Sequence, residues 1–128
     1  EHFLPYLWER KITLIVPVPL HSRRKRKRGF NQAEIVAKVL SENTGIAMDA
    51  GAVKRIKATS PQKELGDKGR KRNIRGAFAV QKNVKGENIV LIDDIYTTGS
   101  TLDEAARVLK KAGAENVYFL TVSIGQGI

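Results

Sequence analysis

The stretch that most limits what this chain can become runs Asn88-Ile89-Val90-Leu91-Ile92-Asp93-Asp94-Ile95-Tyr96-Thr97-Thr98-Gly99-Ser100-Thr101. Residues 89–92 are an unbroken apolar run, too short for a helix and rich in β-branched side chains. That pattern predicts a strand covered on both faces, which is the habit of a parallel sheet between helices. Asp93 and Asp94 place two carboxylates where the strand ends. Thr97, Thr98, Gly99, Ser100 and Thr101 then supply hydroxyls and backbone N–H groups, and a helical pattern follows directly.

A phosphate needs converging N–H and O–H donors, and residues 97–101 offer both kinds. Gly99 lets the backbone approach an anion with no Cβ in the way. The dipole of the helix that follows adds a favourable field at the same point. The carboxylates repel that phosphate, but they accept hydrogen bonds from sugar hydroxyls or hold a hydrated Mg²⁺. A ligand with a phosphate at one end and hydroxyls plus a metal in the middle is a sugar phosphate. The bland reading, a buried strand ending in a turn and a capped helix, accounts for the cap but not for the paired acids.

At 128 residues the chain is read as one domain, 1–128, with residues 1–11 as an N-terminal arm. No apolar run approaches the ~20 residues of a membrane span, and no signal peptide is visible. Cysteine is absent, which excludes disulfides and cysteine-ligated metals within these residues and fits a cytoplasmic protein. Charge is the unusual quantity. There are 23 Lys and Arg against 13 Asp and Glu, a net charge of +10. Six of the cations form residues 23–28 and nine more lie in residues 54–75. The excess is local, and a polyanion partner is the natural inference.

Taken in order, residues 1–11 carry Phe3, Leu4, Tyr6, Leu7 and Trp8 and are expected to pack as a short helix or arm. Pro5 argues against a helix through its own position, and Trp8 suits core or interface packing. Residues 14–16 start a buried strand that Pro17 and Pro19 make irregular. The basic run follows, then a helix with Asn31 as N-cap, Glu34 as its partner, Ile35, Val36, Val39 and Leu40 as the apolar stripe, and Gly45 as the stop. A weak strand is expected over residues 52–56. Residues 57–75 form a long polar loop, functional or mobile, and residues 77–80 the next strand. After the central motif, Leu102, Ala105, Ala106, Leu109 and Ala112 define a helical stripe. Thr101 with Glu104 reads as a capping box and Gly113 as the C-cap; residues 117–122 are the last strand. Alternating strands and helices predict an α/β fold, a parallel sheet with helices on both faces, whose ligand lies beyond the strand carboxyl ends. Residues 21–28, 57–75 and 93–101 meet there, so basic segments frame the acidic motif.

The central stretch resembles the phosphoribosyl-diphosphate (PRPP) motif of the type I phosphoribosyltransferases. The segments Pro17-Val18-Pro19-Leu20-His21, Arg28-Gly29-Phe30-Asn31-Gln32-Ala33, Gln62 to Leu65, and Arg72-Asn73-Ile74-Arg75-Gly76-Ala77-Phe78 together resemble the competence protein F (ComF) family. The resemblance implies a type I phosphoribosyltransferase fold with a long mobile loop and a reduced or absent hood. It implies that Asp93 and Asp94 bind the ribose hydroxyls and serve as catalytic and Mg²⁺-associated groups. Thr97, Thr98, Gly99, Ser100 and Thr101 would hold the 5′-phosphate. Leu20, His21, Ser22, Arg23 and Arg28 would hold the diphosphate, and Gln62, Arg72 and Asn73 would belong to the closing loop. The family is associated with DNA uptake, and its members typically carry a zinc-binding, cysteine-rich segment absent from this sequence, which suggests a fragment or a divergent member. Amidotransferase activity is excluded from these residues, because the glutaminase half needs a nucleophilic cysteine.

Two functions of different class stand at this point. One is a Mg²⁺- and PRPP-dependent phosphoribosyltransferase (a pentosyltransferase), with an acceptor the sequence does not name. The other is a single-stranded-DNA-handling protein, non-catalytic or regulated by PRPP, in which the basic run contacts the DNA backbone. Expected partners are PRPP or another sugar phosphate and single-stranded DNA. A second copy of the chain or a component of the DNA-uptake machinery is left open, and membrane insertion is not expected.

Overall fold

The strand predicted over residues 89–92 is the centre of the molecule. The computed structural model describes residues 4–19, 32–56, 75–94 and 99–122. In chain order these form α1 (Leu4–Glu9), β1 (Leu14–Pro17), α2 (Gln32–Thr44), β2 (Ala47–Met48), β3 (Val53–Arg55), β4 (Phe78–Val80), β5 (Asn88–Asp94), α3 (Gly99–Lys111) and β6 (Asn116–Val122). Four strands make a parallel sheet in the order β2-β1-β5-β6. Ile89, Val90, Leu91 and Ile92 are all 0% exposed, each burial stabilising the fold by about 1.5–3 kcal/mol.

Strand alternation sorts these side chains onto two layers. Ile89 and Leu91 join Val16, Leu102, Ala105 and Leu109 under α3, while Val90 and Ile92 join Ile15, Ala33, Ala37 and Leu40 under α2. The sheet is thus covered on both faces, as a continuous apolar strand demands.

Its register is fixed at the end remote from the acids. Thr13 N–H donates to the Asn88 carbonyl at 2.8 Å, and Asn88 N–H donates to Thr13 Oγ1 at 2.8 Å. Asn116 Nδ2 donates to Asn88 Oδ1 at 3.0 Å. With these starts tied, Asp93 falls opposite Thr121 and Asp94 opposite Val122. A slip of one residue would carry every apolar side chain of β5 to the wrong face.

Several sequence expectations are corrected. β3 and β4 are not in the parallel sheet; they pair with each other, antiparallel, in a separate ribbon with Val53 opposite Val80 and Arg55 opposite Phe78. Val53 is buried and Lys54 exposed, the alternation of a half-covered ribbon rather than the continuous run of a central strand. Ala52, Val53, Ala77 and Phe78 lay this ribbon on the α3 side. The two-residue β2 is too short for any periodicity to register in the sequence. In α2 the buried positions are Ala33, Ala37 and Leu40, with Val36 packed against them, whereas Ile35 and Val39 are 50% and 49% exposed.

Proline also behaves differently from expectation. α1 runs through Pro5, which occupies the first turn, where an N–H has no acceptor within the helix anyway. Leu7 is the buried anchor of α1, and Trp8, one residue on and rotated away, is exposed. Pro17 is paired within β1 opposite Ile92. Ile15 accepts from Asp49 N–H on the β2 side and Val18 donates to Ile92 on the β5 side. Strand alternation therefore aims the missing donor of Pro17 toward β2, which has already ended at Met48.

Gly113 ends α3 with φ of +109°, a conformation that favours glycine, and its N–H donates to the Lys110 carbonyl at 3.0 Å. Gly45 ends α2 in the same manner. Both stops were legible in the sequence.

Candidate functional site at the carboxyl end of the central strand

β1 and β5 lie side by side, and the chain leaves them in opposite directions. After β1 it passes through α2 to β2 on one flank; after β5 it passes through α3 to β6 on the other. The divergence makes a crevice outside the carboxyl ends of these two strands, the usual ligand position in open α/β sheets. Pro17 and Val18 stand on one side of it, and Asp93 and Asp94 close β5 on the other.

Asp93 is 2% exposed. It continues the row of Ile89 and Leu91, so its carboxylate belongs to the α3 layer. A carboxylate taken from water at the end of a buried strand is costly unless polar groups face it. The polar groups of this layer are close in sequence. Thr101, in the first turn of α3, is 5% exposed, and Glu104, one turn further, is 7% exposed. These three are the buried polar side chains among the described residues.

The helix begins at Gly99, three residues earlier than a cap at Thr101 requires. Gly99, Ser100 and Thr101 are therefore its first turn, whose N–H groups find no acceptor within the helix. Thr101 is inside the helix rather than its cap, and Glu104 is not its reciprocal partner. Glu104 instead faces the ribbon. Its Oε2 accepts from Gly76 N–H at 3.1 Å and from Arg107 Nη2 at 2.7 Å, and its Oε1 accepts from Arg107 Nε at 2.9 Å. The Arg107 hydrogen bond is the main reason its carboxyl is held below the usual glutamate range; burial opposes this, and the Gly76 amide and the charges of Arg107 and Arg75 add to it. Sequence reading did not single out Glu104 in this role. The signal available was a carboxylate at i, i+3 to an arginine, on the inward side of a helix.

Of the residues predicted for the site, the structure brings Asp93, Asp94, Gly99, Ser100 and Thr101 to one end of the sheet. Leu20, His21, Ser22, Arg23, Arg28, Gln62, Arg72, Asn73, Thr97 and Thr98, and the expected cap Asn31, lie outside the described residues. The described elements that flank residues 20–31 are β1, ending at Pro17, and α2, beginning at Gln32; those that flank residues 57–74 are β3 and β4 of the ribbon. Among the described residues no cluster of three His, Asp or Glu side chains is placed to hold a metal ion, and no helix is long and apolar enough to cross a membrane.

Comparisons with known proteins agree with this architecture. The family described as Phosphoribosyl transferase domain matches residues 11–124. The "DNA utilization protein YhgH" of Salmonella typhi is 43% identical over 103 residues, covering 80% of this chain and 45% of that protein. The "Competence protein F" of Haemophilus influenzae is 42% identical over 106 residues, covering 80% and 46%. The "Competence protein ComFC" of Bacillus subtilis is 36% identical over 112 residues, covering 85% and 43%. The chain thus spans a little under half the length of these curated relatives. The purine phosphoribosyltransferase of Pyrococcus horikoshii shares the fold with a TM-score of 0.58 at 21% identity, over 92% of this chain and 65% of that one. The resemblance to the ComF family read from the sequence holds, and the chain belongs to the phosphoribosyl transferase domain family.

Proposed function

We propose that the crevice binds PRPP with Mg²⁺ and that the chain is the phosphoribosyl-transfer part of a ComF-type protein. The observation that carries this reading is Asp93. It is a buried carboxylate at the end of the central strand, at the switch point, just ahead of the first turn of α3. In this reading Asp93 and Asp94 accept hydrogen bonds from the ribose hydroxyls. Thr97, Thr98, Gly99, Ser100 and Thr101 donate to the 5′-phosphate. Leu20, His21, Ser22, Arg23 and Arg28 hold the diphosphate, and Gln62, Arg72 and Asn73 approach it from the ribbon's connection.

Mg²⁺ keeps several waters and binds through one or two carboxylates plus substrate phosphates. The acid pair fits a metal carried in with the ligand's phosphates; it would neutralise charge on the diphosphate as that group leaves. The residues of the chain orient the sugar, keep water from the anomeric carbon and stabilise negative charge on the departing diphosphate. These residues do not specify the acceptor.

Calorimetric titration of PRPP at physiological salt, with and without Mg²⁺, tests the reading. Micromolar binding that needs Mg²⁺ and is lost in the Asp93→Asn, Asp94→Asn double variant supports it; binding indifferent to both acids overturns it. A second reading has its own observations. The net charge is +10, and the Salmonella relative is named for DNA utilization. In that reading the chain handles single-stranded DNA through its basic segments, and PRPP regulates the association. Affinity for a single-stranded oligonucleotide that falls steeply with salt, and that survives the double variant, supports it.

A further inference from the structure

A groove of about 280 Å³ opens between β4 and the later turns of α3, away from the crevice. Phe78, Val80, Val108 and Ala112 give it an apolar lining, and Arg107 and Lys111 line it from the helix. No acidic side chain is among its lining residues. Arg107 is fixed where it stands. Its Nε and Nη2 donate to the buried Glu104 at 2.9 and 2.7 Å, while its side chain stays 44% exposed. A guanidinium has five N–H donors, so most of them are left for another acceptor. Lys111, one turn on, is exposed and adds a charge that no ion pair among the described residues answers.

The strand on the other side of the groove has an open edge. β4 pairs with β3 on one side only. Gln81 N–H donates to the Ala52 carbonyl at 2.8 Å, and Ile56 N–H to the Ala77 carbonyl at 2.7 Å. Antiparallel alternation then turns the backbone groups of Ala79 toward β3 and those of Phe78 and Val80 away from it. Two N–H and two C=O groups therefore face outward beside the groove, with no backbone partner among the described residues. Such an edge is a template for a further strand. We propose that the groove binds an extended acidic segment of a partner protein, which adds to β4 as a third strand of the ribbon. Its main chain pairs with Phe78 and Val80, an apolar side chain covers Val80 and Val108, and two carboxylates meet Arg107 and Lys111. The spacings agree: four helical residues rise about 6 Å, and residues i and i+2 of a strand, which share a face, lie about 6.6 Å apart. A second copy joined edge to edge across β4 would set these cations against their own copies. A phosphate backbone would answer the cations but offer no donors to the two carbonyls and leave the apolar lining bare. The chain's own segments 20–31 and 57–74 are basic, the wrong sign for this groove. The surface is independent of the PRPP reading.

The probe is the peptide acetyl-Val-Ser-Glu-Ser-Glu-Ser-Val-amide, whose acids and valines share one face of a strand. Its binding to the full chain is followed by NMR, through the shifts and hydrogen exchange of the Phe78 and Val80 amides. Saturable binding that protects both amides is expected. It should be lost when both peptide acids are replaced by lysine, and when the peptide's pairing amides are N-methylated. Lys111→Glu, at an exposed position, should weaken binding roughly five-fold and leave thermal stability unchanged. No binding at millimolar peptide, equal binding of the lysine peptide, or protection by the N-methylated peptide overturns the proposal. Protection of the same amides by oligothymidylate overturns it in favour of nucleic acid. Protection that rises with protein concentration alone overturns it in favour of a second copy.

Discussion

The two faces of the sheet are built from the same strands but on different terms. The α2 face buries Leu7, Ile12, Ile15, Ala33, Ala37, Leu40, Val90 and Ile92, every one apolar. The α3 face buries a comparable apolar set, and beside it Asp93, Thr101 and Glu104. An apolar layer asks chiefly for volume and tolerates exchanges that preserve it. A buried polar group asks for partners at fixed directions, and leaving it without them is expensive. The α2 face is thus a foundation, while the α3 face is a foundation that also carries polar groups, Asp93 and Thr101 at the crevice end and Glu104 against the ribbon.

Truncations in the two layers give the largest effects and test that division. Leu40→Ala on the α2 face should cost roughly 2–5 kcal/mol in urea unfolding. The protein that remains folded should bind PRPP as before. Leu109→Ala on the α3 face should cost a similar amount and weaken binding as well, because Leu109 supports the helix whose first turn lines the site. Equal losses of affinity from both faces would erase the distinction.

Asp93→Asn keeps the shape of the side chain and removes its charge. On the proposed reading Asp93 loses a charge-assisted hydrogen bond to a sugar hydroxyl, and PRPP affinity should fall on the order of 10-fold. Thermal unfolding should shift little by comparison. A variant that unfolds readily yet binds normally would reassign Asp93 from the site to the core.

Glu104 sharpens the comparison through pH. Its folded-state pKa is lowered, chiefly by the hydrogen bond from Arg107. A carboxyl that is more acidic when folded stabilises the fold above its unfolded pKa, and that contribution disappears as pH falls through the folded value. Glu104→Gln should therefore be less stable than wild type at neutral pH, by about 1 kcal/mol. The gap should close on acidification below the ordinary glutamate range. Denaturant unfolding at neutral and acidic pH measures it, and a gap that widens in acid contradicts the sign. No equivalent titration is expected from the α2 layer, which buries no ionisable group among the described residues.

Legibility from sequence divides along the same line. The apolar run of β5, the paired acids and the terminal glycines are local signals, and each was readable because its physical cause lies within a few residues. The antiparallel ribbon was missed because its strands lie on either side of residues 57–74 and its pairing is set by a face of α3 that neither strand reveals. Glu104 was given a cap's role because Thr101 and Glu104 match the spacing. The true start of α3, at Gly99, depends on where β5 ends and the crossover turns. The acids of the motif were legible; the carboxylate that ties the ribbon to its helix required the third dimension.

The stripe of α2 shows the limit in its simplest form. Ile35 and Val39 are the more hydrophobic choice, yet the helix buries Ala33 and Ala37. Small side chains let α2 approach Ile15, Val90 and Ile92 closely, and close approach decides which side faces inward. Hydrophobicity weighs a residue by its transfer energy, whereas packing weighs it by the room available. Val39→Ser should accordingly change stability by no more than about 0.5 kcal/mol, the usual range for an exposed position. A loss of several times that size would mean that Val39 is covered in solution. The outer side of α2 would then be an interface, and the α2 face would bury apolar surface on both sides of its helix.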